Sequence, residues 1–337
     1  MHYRIITNPK LINRNDWETF ILNHKNGNIF QSPSYYYAIT KTGLYSPYFF
    51  CVIDEKDEIK GVLVSVLYKQ HKGVVGFLSS RSIIHGGPVI LNSDNNILEL
   101  ILTEYLATMK NKAIYSQFRN SWIQVKEIDV FREKKIVFED HLDIIVDLNQ
   151  NEEKLWKDVH TKRRNEIRRA VKEGTSFRKA ENMEDFESSY NILVEVYKRV
   201  KVPIPSFYIL KNIYIELSKQ KLIQCFLAVN NGEIIGTMIA FTYKNVIFDW
   251  YAGAKKEFYK KYPNDLIPWE VFMWGKENGY SSFDFGGAGK PNIEYGVRDY
   301  KLKFGGNLIN LGRYEIIHNR FFMKIGKLGY LLMKKMN

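Results

Sequence analysis

Two distant stretches of this chain are near copies of each other. Residues 50–69 (FCVIDEKDEIKGVLVSVLYK) align without a gap on residues 225–244 (CFLAVNNGEIIGTMIAFTYK). Glu58, Ile59, Gly61, Tyr68 and Lys69 recur as Glu233, Ile234, Gly236, Tyr243 and Lys244. Each copy is an apolar run, a cluster of turn-forming polar residues, and a second apolar run opened by Glu-Ile-x-Gly. That pattern predicts a β-hairpin. The copies also continue alike. After the first come a predicted strand (73–78), an amphipathic helix (97–109) and a strand (113–118). After the second come a strand (246–251), a helix (265–277) and a strand (282–285). Each half therefore reads hairpin, strand, helix, strand, which is an antiparallel start followed by a βαβ crossover. A repeat of this span constrains the fold to two similar α/β domains with mixed sheets. The break at 147–151 sets the expected domains at 1–150 and 151–337.

Length agrees, since 337 residues suit two ordinary domains. Two cysteines, Cys51 and Cys225, supply neither a disulfide framework nor zinc-ligand spacing. The first residues lack an apolar export segment, and no run approaches the roughly 18 apolar residues of a membrane span. A cytoplasmic, monomeric protein is expected. Lys and Arg (49) outnumber Asp and Glu (37), leaving +12, which favours polyanionic partners. The excess is concentrated in a helix predicted over 152–173, capped by Asn151 and stopped by Gly174. Its buried stripe is expected to be Leu155, Trp156, Val159, Ile167, Ala170 and Val171. Lys162, Arg163, Arg164, Arg168, Arg169 and Lys172 lie mostly outside it, either as a solvated face or as a phosphate-facing surface.

No HExxH, GxSxG, Walker loop or GxGxxG fingerprint is present. Gly286-Gly287-Ala288-Gly289 follows a strand, but Pro291 and Asn292 come next and no helix opens there to cradle a phosphate. No metal and no cofactor is expected. The densest chemistry lies in Phe283-Asp284-Phe285-Gly286-Gly287 and in residues 296–306 (GVRDYKLKFGG). A lysine beside a glycine break, Lys301, is either a surface residue or a cation placed where an oxyanion develops. The tail, 318–337, carries Phe321, Ile325, Leu328 and Leu332 at helical spacing, bordered by Arg320, Lys324 and Lys327. Such a helix either closes the second domain or lies on an anionic inner leaflet.

The strand order of each half resembles the GNAT acyltransferase core. Over most of its length the chain also resembles the FemABX family of non-ribosomal peptidyl transferases, which have two GNAT-like domains in tandem. Four motifs carry the likeness in order: Gln31-Ser32 with Tyr37 and Lys41; Gly87-Pro88-Val89; Arg164, Ile167, Arg168, Arg169, Ala170 and Gly174; and Tyr300-Lys301 with Phe304-Gly305-Gly306. Ile90, Leu91 and Asn92 depart from the acidic residue that the family has after its Gly-Pro-Val turn.

The resemblance implies aminoacyl transfer from aminoacyl-tRNA to the amine of a nucleotide-linked or lipid-linked peptidoglycan precursor. It implies Lys301 and Tyr300 as catalytic residues and Lys41, Tyr37, Tyr251, Asp284 and Arg298 as substrate ligands. Arg164, Arg168 and Arg169 would face tRNA phosphates, and a lipid-linked acceptor would bring the protein to the inner face of the membrane. The alternative is a CoA-dependent GNAT N-acyltransferase acting on an amino sugar or polysaccharide precursor. Residues 259–265 (YKKYPND), which lack a glycine to wrap a pyrophosphate and end in Asp265, count against it.

Overall fold

Val-, Ile- and Phe-rich runs give this chain its strands, and a computed structural model describes residues 2–69, 73–123 and 128–325 of it. Two compact units result, one of residues up to Asp140 together with the segment from Leu311, the other His141–Asn310. Among the described residues, the first unit holds strands β1 (Arg4–Ile6), β2 (Ser46–Ile53), β3 (Ile59–Tyr68), β4 (Arg81–His85), β5 (Val89–Ile90), β6 (Tyr115–Arg119), β7 (Val137–Glu139) and the late strand β15 (Arg313–Ile317). Their order is β1-β2-β3-β4-β6-β15-β7, with β5 also on β3. Helices α1 (Arg14–Asn23), α2 (Pro33–Thr40), α3 (Gly73–Leu78), α4 (Asn95–Met109) and α5 (Ile128–Glu133) accompany them. The second unit holds β8 (Leu142–Asp147), β9 (Thr175–Lys179), β10 (Ile223–Asn230), β11 (Glu233–Tyr243), β12 (Val246–Ala254), β13 (Ser282–Gly287) and β14 (Asn307–Asn310), ordered β14-β8-β13-β12-β11-β10-β9. Its helices are α6 (Glu152–Asp158), α7 (Thr161–Lys172), α8 (Met183–Arg199), α9 (Phe207–Ser218), α10 (Pro263–Glu277) and α11 (Gly296–Leu302).

The repeat is visible in both sheets. The hairpins are β2–β3 and β10–β11, each followed by an antiparallel strand (β4 or β12), a crossover helix (α4 or α10) and a parallel strand (β6 or β13). The recurring glycine has a packing cause. A Cβ on Gly61 would sit 2.7 Å from Ile97 Cγ2 of α4, and a Cβ on Gly236 would sit 2.7 Å from Pro263 Cβ of α10. In each half the glycine lets the start of the crossover helix lie directly on the second hairpin strand.

Four expectations are corrected. Residues 73–78 form α3 rather than a strand, because a short apolar run suits either state. The strand is β4, held in register by Val66↔Ile83. The basic helix is two helices: Val159 is extended (φ −66°, ψ 127°), and His160 caps α7 by accepting from Lys162 N at 3.2 Å. The break rotates the stripe, so Ile167 and Ala170 are buried while Val171 is 62% exposed. The units divide elsewhere than 150/151. Leu142, Ile144 and Val146 of β8 pack in the second core, and Tyr314 of β15 stacks on Phe131 of the first at 4.3 Å. Strand partners distant in sequence decide both assignments.

In the tail, Asn319 accepts from Phe322 N and Phe77 meets Phe322 edge-on at 5.4 Å, while Phe321 is exposed. Leu328, Leu332 and Lys327 lie outside the described residues. Among those residues, no helix is long and apolar enough to cross a membrane.

Gly236→Ala should destabilise the protein by about 1–3 kcal/mol, because the proline ring facing it cannot rotate away. Gly61→Ala should also destabilise, since Ile97 Cγ2 is held by a stiff χ1 on α4, although the Cδ1 ends of Ile101 and Ile90 can move. Urea unfolding of both variants checks this, and an unchanged midpoint for Gly236→Ala contradicts it.

Candidate active site

The parallel pairing of β12 with β13 runs through Val246↔Ser282, Ile247↔Phe283 and Phe248↔Asp284, and then stops. Beyond that point β12 takes a bulge: Ala240 of β11 faces Asp249 and Ile239 faces Tyr251, so Trp250 is the extra residue. A bulge bends its strand and increases the local twist. On the other side β13 slips register against β8 between Asp284 and Gly287, with Gly286 at φ +67°. The two strands part, and the carbonyls at the end of β13 lose regular ladder partners.

Lys301 of α11 answers those carbonyls. Its Nζ donates to Phe285 O at 2.7 Å and Gly287 O at 3.1 Å, with Gly286 O at 3.5 Å. Carbonyls orient the ammonium without neutralising it, so a full positive charge stands at the parting. Three carboxyls surround it. Asp284 Oδ1 accepts from Gly286 N at 2.7 Å. Asp143 of β8 accepts from Ile144 N at 2.8 Å, and its carboxyl hydrogen-bonds that of Asp284. Burial first, then the neighbouring Asp284, pushes Asp143 well above the usual carboxylate range. Burial also raises Asp284, with Lys301 opposing. Two carboxyls in contact disfavour each other's ionisation, which adds to the effect of burial on Asp143. Asp249, at the first position past the pairing, is raised to about 7 by burial, against Lys301 and with Asp284.

Tyr300, one residue before Lys301, points elsewhere. Its hydroxyl donates to the Asn264 carbonyl at the start of α10, and its ring lies 4.9 Å under the Arg163 guanidinium. Arg163 of α7 pairs with Asp265 and, at 2.9 Å, with Glu166. Burial raises Asp265 to about 6, with Arg163 opposing and Glu166 adding to it. The first turn of α10 is thus filled by the protein's own charges.

The structure brings Lys301, Asp284 and Tyr300 into one region of the second unit. Tyr251 lies on β12 against Trp250 and Tyr197, at 4.7 and 5.6 Å. Arg298 turns to its own loop, donating to Lys290 O and Ile293 O at 2.7 Å each. In the first unit, Lys41 caps the end of α2 and is exposed, one turn after Tyr37, whose ring carries Arg14 at 5.0 Å. Gln31 holds the sheet: its amide donates to Val64 O and His85 O and accepts from Val64 N.

On α7, Arg164 donates to Thr161 Oγ1 at 3.0 Å, Arg168 lies 5.2 Å over Trp156, and Arg169 reaches Tyr262 Oη at 3.4 Å. Sequence reasoning missed Asp143 and Asp249, which no motif marks. It also missed two further cationic segments: exposed Lys256 and Lys260, whose segment meets the end of α7 through Lys261 and Glu173, and Lys198 and Arg199 at the end of α8. Arg199 donates to Tyr259 Oη at 2.6 Å, joining the latter two segments. Among the described residues no group of His, Cys, Asp and Glu is arranged to hold a metal ion.

The raised Asp249 carboxyl fixes the sign of a pH effect. Ionising it in the folded protein is costly, so its contribution to stability is complete below the ordinary carboxylate range and is lost as pH rises through about 7. The melting temperature of Asp249→Asn relative to wild type should therefore climb between pH 5 and pH 8 in calorimetry. A difference that stays constant contradicts this.

Residues 161–302, from the first residue of α7 to the last of α11, match the acetyltransferase (GNAT) domain family. No curated protein matches the chain by sequence. Solved structures do resemble it. FemX superposes with a TM-score of 0.75 at 14% identity, covering 96% of this chain and 99% of that one. L-PGS from Bacillus licheniformis gives 0.60 at 17% identity, covering 94% and 96%. A tandem GNAT protein from the clavulanic acid biosynthesis pathway gives 0.58 at 7% identity, covering 94% and 99%. The chain thus has the FemX-like tandem GNAT fold, and the stretch that matches the GNAT domain model lies within its second unit.

Proposed function

We propose that this protein is an aminoacyltransferase of cell-envelope synthesis, moving an aminoacyl group from aminoacyl-tRNA to the amine of a peptidoglycan precursor. The observation that carries the reading is the Lys301 ammonium, fixed on the carbonyls of residues 285–287 where β12 and β13 part. An aminoacyl ester is already activated, so the enzyme's task is to orient it and to stabilise the oxyanion of the tetrahedral intermediate. A preorganised cation beside an opening in the sheet suits that task.

Two features favour an RNA donor over CoA. The start of α10, where backbone N–H groups would take a pyrophosphate, holds buried Asp265 bound by Arg163, with the Tyr300 hydroxyl on the Asn264 carbonyl. A carboxylate there opposes a second anion. Beside it, α7 and the segments 256–261 and 198–201 present exposed cations suited to a nucleic-acid backbone. A membrane-bound acceptor would agree with the basic, partly apolar tail. The likeness to FemX supports the same reaction class.

Lys301→Met should lower transfer about a hundredfold or more while the protein still shows a cooperative melting transition. Near wild-type turnover would remove Lys301 from the chemistry. Binding of uncharged tRNA should weaken steeply with salt, and Arg168→Ala with Arg169→Ala should reduce the slope by about one unit per lost phosphate contact. Salt-independent binding, or tight CoA binding by calorimetry, counts against the RNA donor.

A further inference from the structure

We propose that the Asp249 carboxylate takes the proton from the acceptor amine. This rests on the reading above that the acceptor is an amine, and it supplies the base that the sequence motifs leave unnamed. Position comes first. Asp249 is the first residue of β12 beyond its last pairing with β13, so it borders the opening between the strands while still pairing with Ala240 of β11. Gly286 of β13 passes close by: a Cβ there would come 3.4 Å from the Asp249 carbonyl oxygen, and as a glycine it puts no side chain into that space.

Availability comes second. Asp284 accepts from Gly286 N, and Asp143 accepts from Ile144 N and bonds the Asp284 carboxyl. Asp249 as a whole residue is half-buried, its carboxyl sits deep enough for burial to govern its titration, and among the described residues no protein group hydrogen-bonds that carboxyl. Of the three carboxyls around Lys301 it is the one with free oxygens for a substrate proton.

The charged groups acting on it are Lys301 of α11 and Asp284 of β13, and its own charge is felt by Tyr197 of α8 and, more weakly, by Tyr300 of α11. Burial pushes both tyrosines up, so they remain protonated at neutral pH and do not compete as bases. Asp249, raised to about 7, balances basicity against availability in the ionised form.

The step balances as follows. The acceptor arrives as an ammonium and gives one proton to Asp249, freeing the nitrogen lone pair. That pair forms the new C–N bond to the ester carbonyl carbon, and the oxyanion develops near Lys301. The ester C–O bond then breaks, and its oxygen leaves with the bonding pair and takes a second proton from the nitrogen. The products are an amide and a free hydroxyl, and Asp249 returns its proton to water.

The test uses the full-length protein, tRNA charged with a mixture of radiolabelled amino acids, a nucleotide-linked peptidoglycan precursor, and a parallel arm with acetyl-CoA. Wild-type kcat/KM should rise with pH through an apparent pKa near 7. Asp249→Asn should lower kcat by about 10²–10⁴ with the acceptor KM changed less than about twofold, and should lose that rise. Asp249→Glu should restore part of the rate and the pH limb. A flat wild-type profile, which needs no variant, overturns the proposal. So does an Asn variant that melts cooperatively and keeps kcat within about threefold; in either case the transferase reading stands. A wild-type protein that transfers from neither donor overturns the reading, and the proposal falls with it.

Discussion

The second unit depends on where the pairing of β12 with β13 ends. Two parallel strands joined by a crossover helix normally continue their ladder as far as both extend. Here the ladder stops after Phe248↔Asp284, because the extra residue Trp250 bends β12 on one side and β13 loses register with β8 on the other. Backbone groups that lose partners inside a protein must find others. The carbonyls of Phe285 and Gly287 find them in Lys301, which places a cation at the opening. One irregularity thus opens the sheet and positions the charge within it.

Around this opening the unit keeps two separate sets of charges. Lys301 stands among Asp143, Asp249 and Asp284, whose burial favours protonation and which therefore offset one ammonium without each carrying a full negative charge. Arg163 stands with Asp265 and Glu166 at the start of α10, its guanidinium over the Tyr300 ring. A half-buried arginine of this kind is costly unless its partners are well placed, and removing one partner strands the other. The second set binds α7, α10 and α11 together and fills a place where a helix terminus would otherwise attract an anion. The tyrosine and lysine of one short motif therefore do different work: Tyr300 locks the helix start, and Lys301 faces the opening.

Much of the architecture was legible in the amino-acid sequence. The gapless repeat of 50–69 on 225–244 gave both hairpins and the segments after it gave both crossover helices, because hairpins and amphipathic helices are set by residues close in sequence, while the strand expected at 73–78 lies at 81–85 instead. Even the recurring glycine was visible before its cause, the approach of α4 to Gly61 and of α10 to Gly236. The aromatic-lysine pair pointed to α11, whose lysine reaches the carbonyls at the end of β13.

Other features arise only from long-range pairing. Nothing local tells that Leu142–Asp147 joins the second sheet or that Arg313–Ile317 returns to the first, since a strand's sheet is chosen by partners far away. The break at Val159 and His160 answers to the Lys303 carbonyl, which accepts from His160 N at 2.9 Å. Asp143 and Asp249 sit in ordinary strands with no motif around them. Only the lateral order β8-β13-β12 sets them beside Asp284 and Lys301. Sequence determined the elements and the chemistry each could carry; tertiary structure decided which carboxyls meet the lysine, because that depends on strand order and on where a ladder stops.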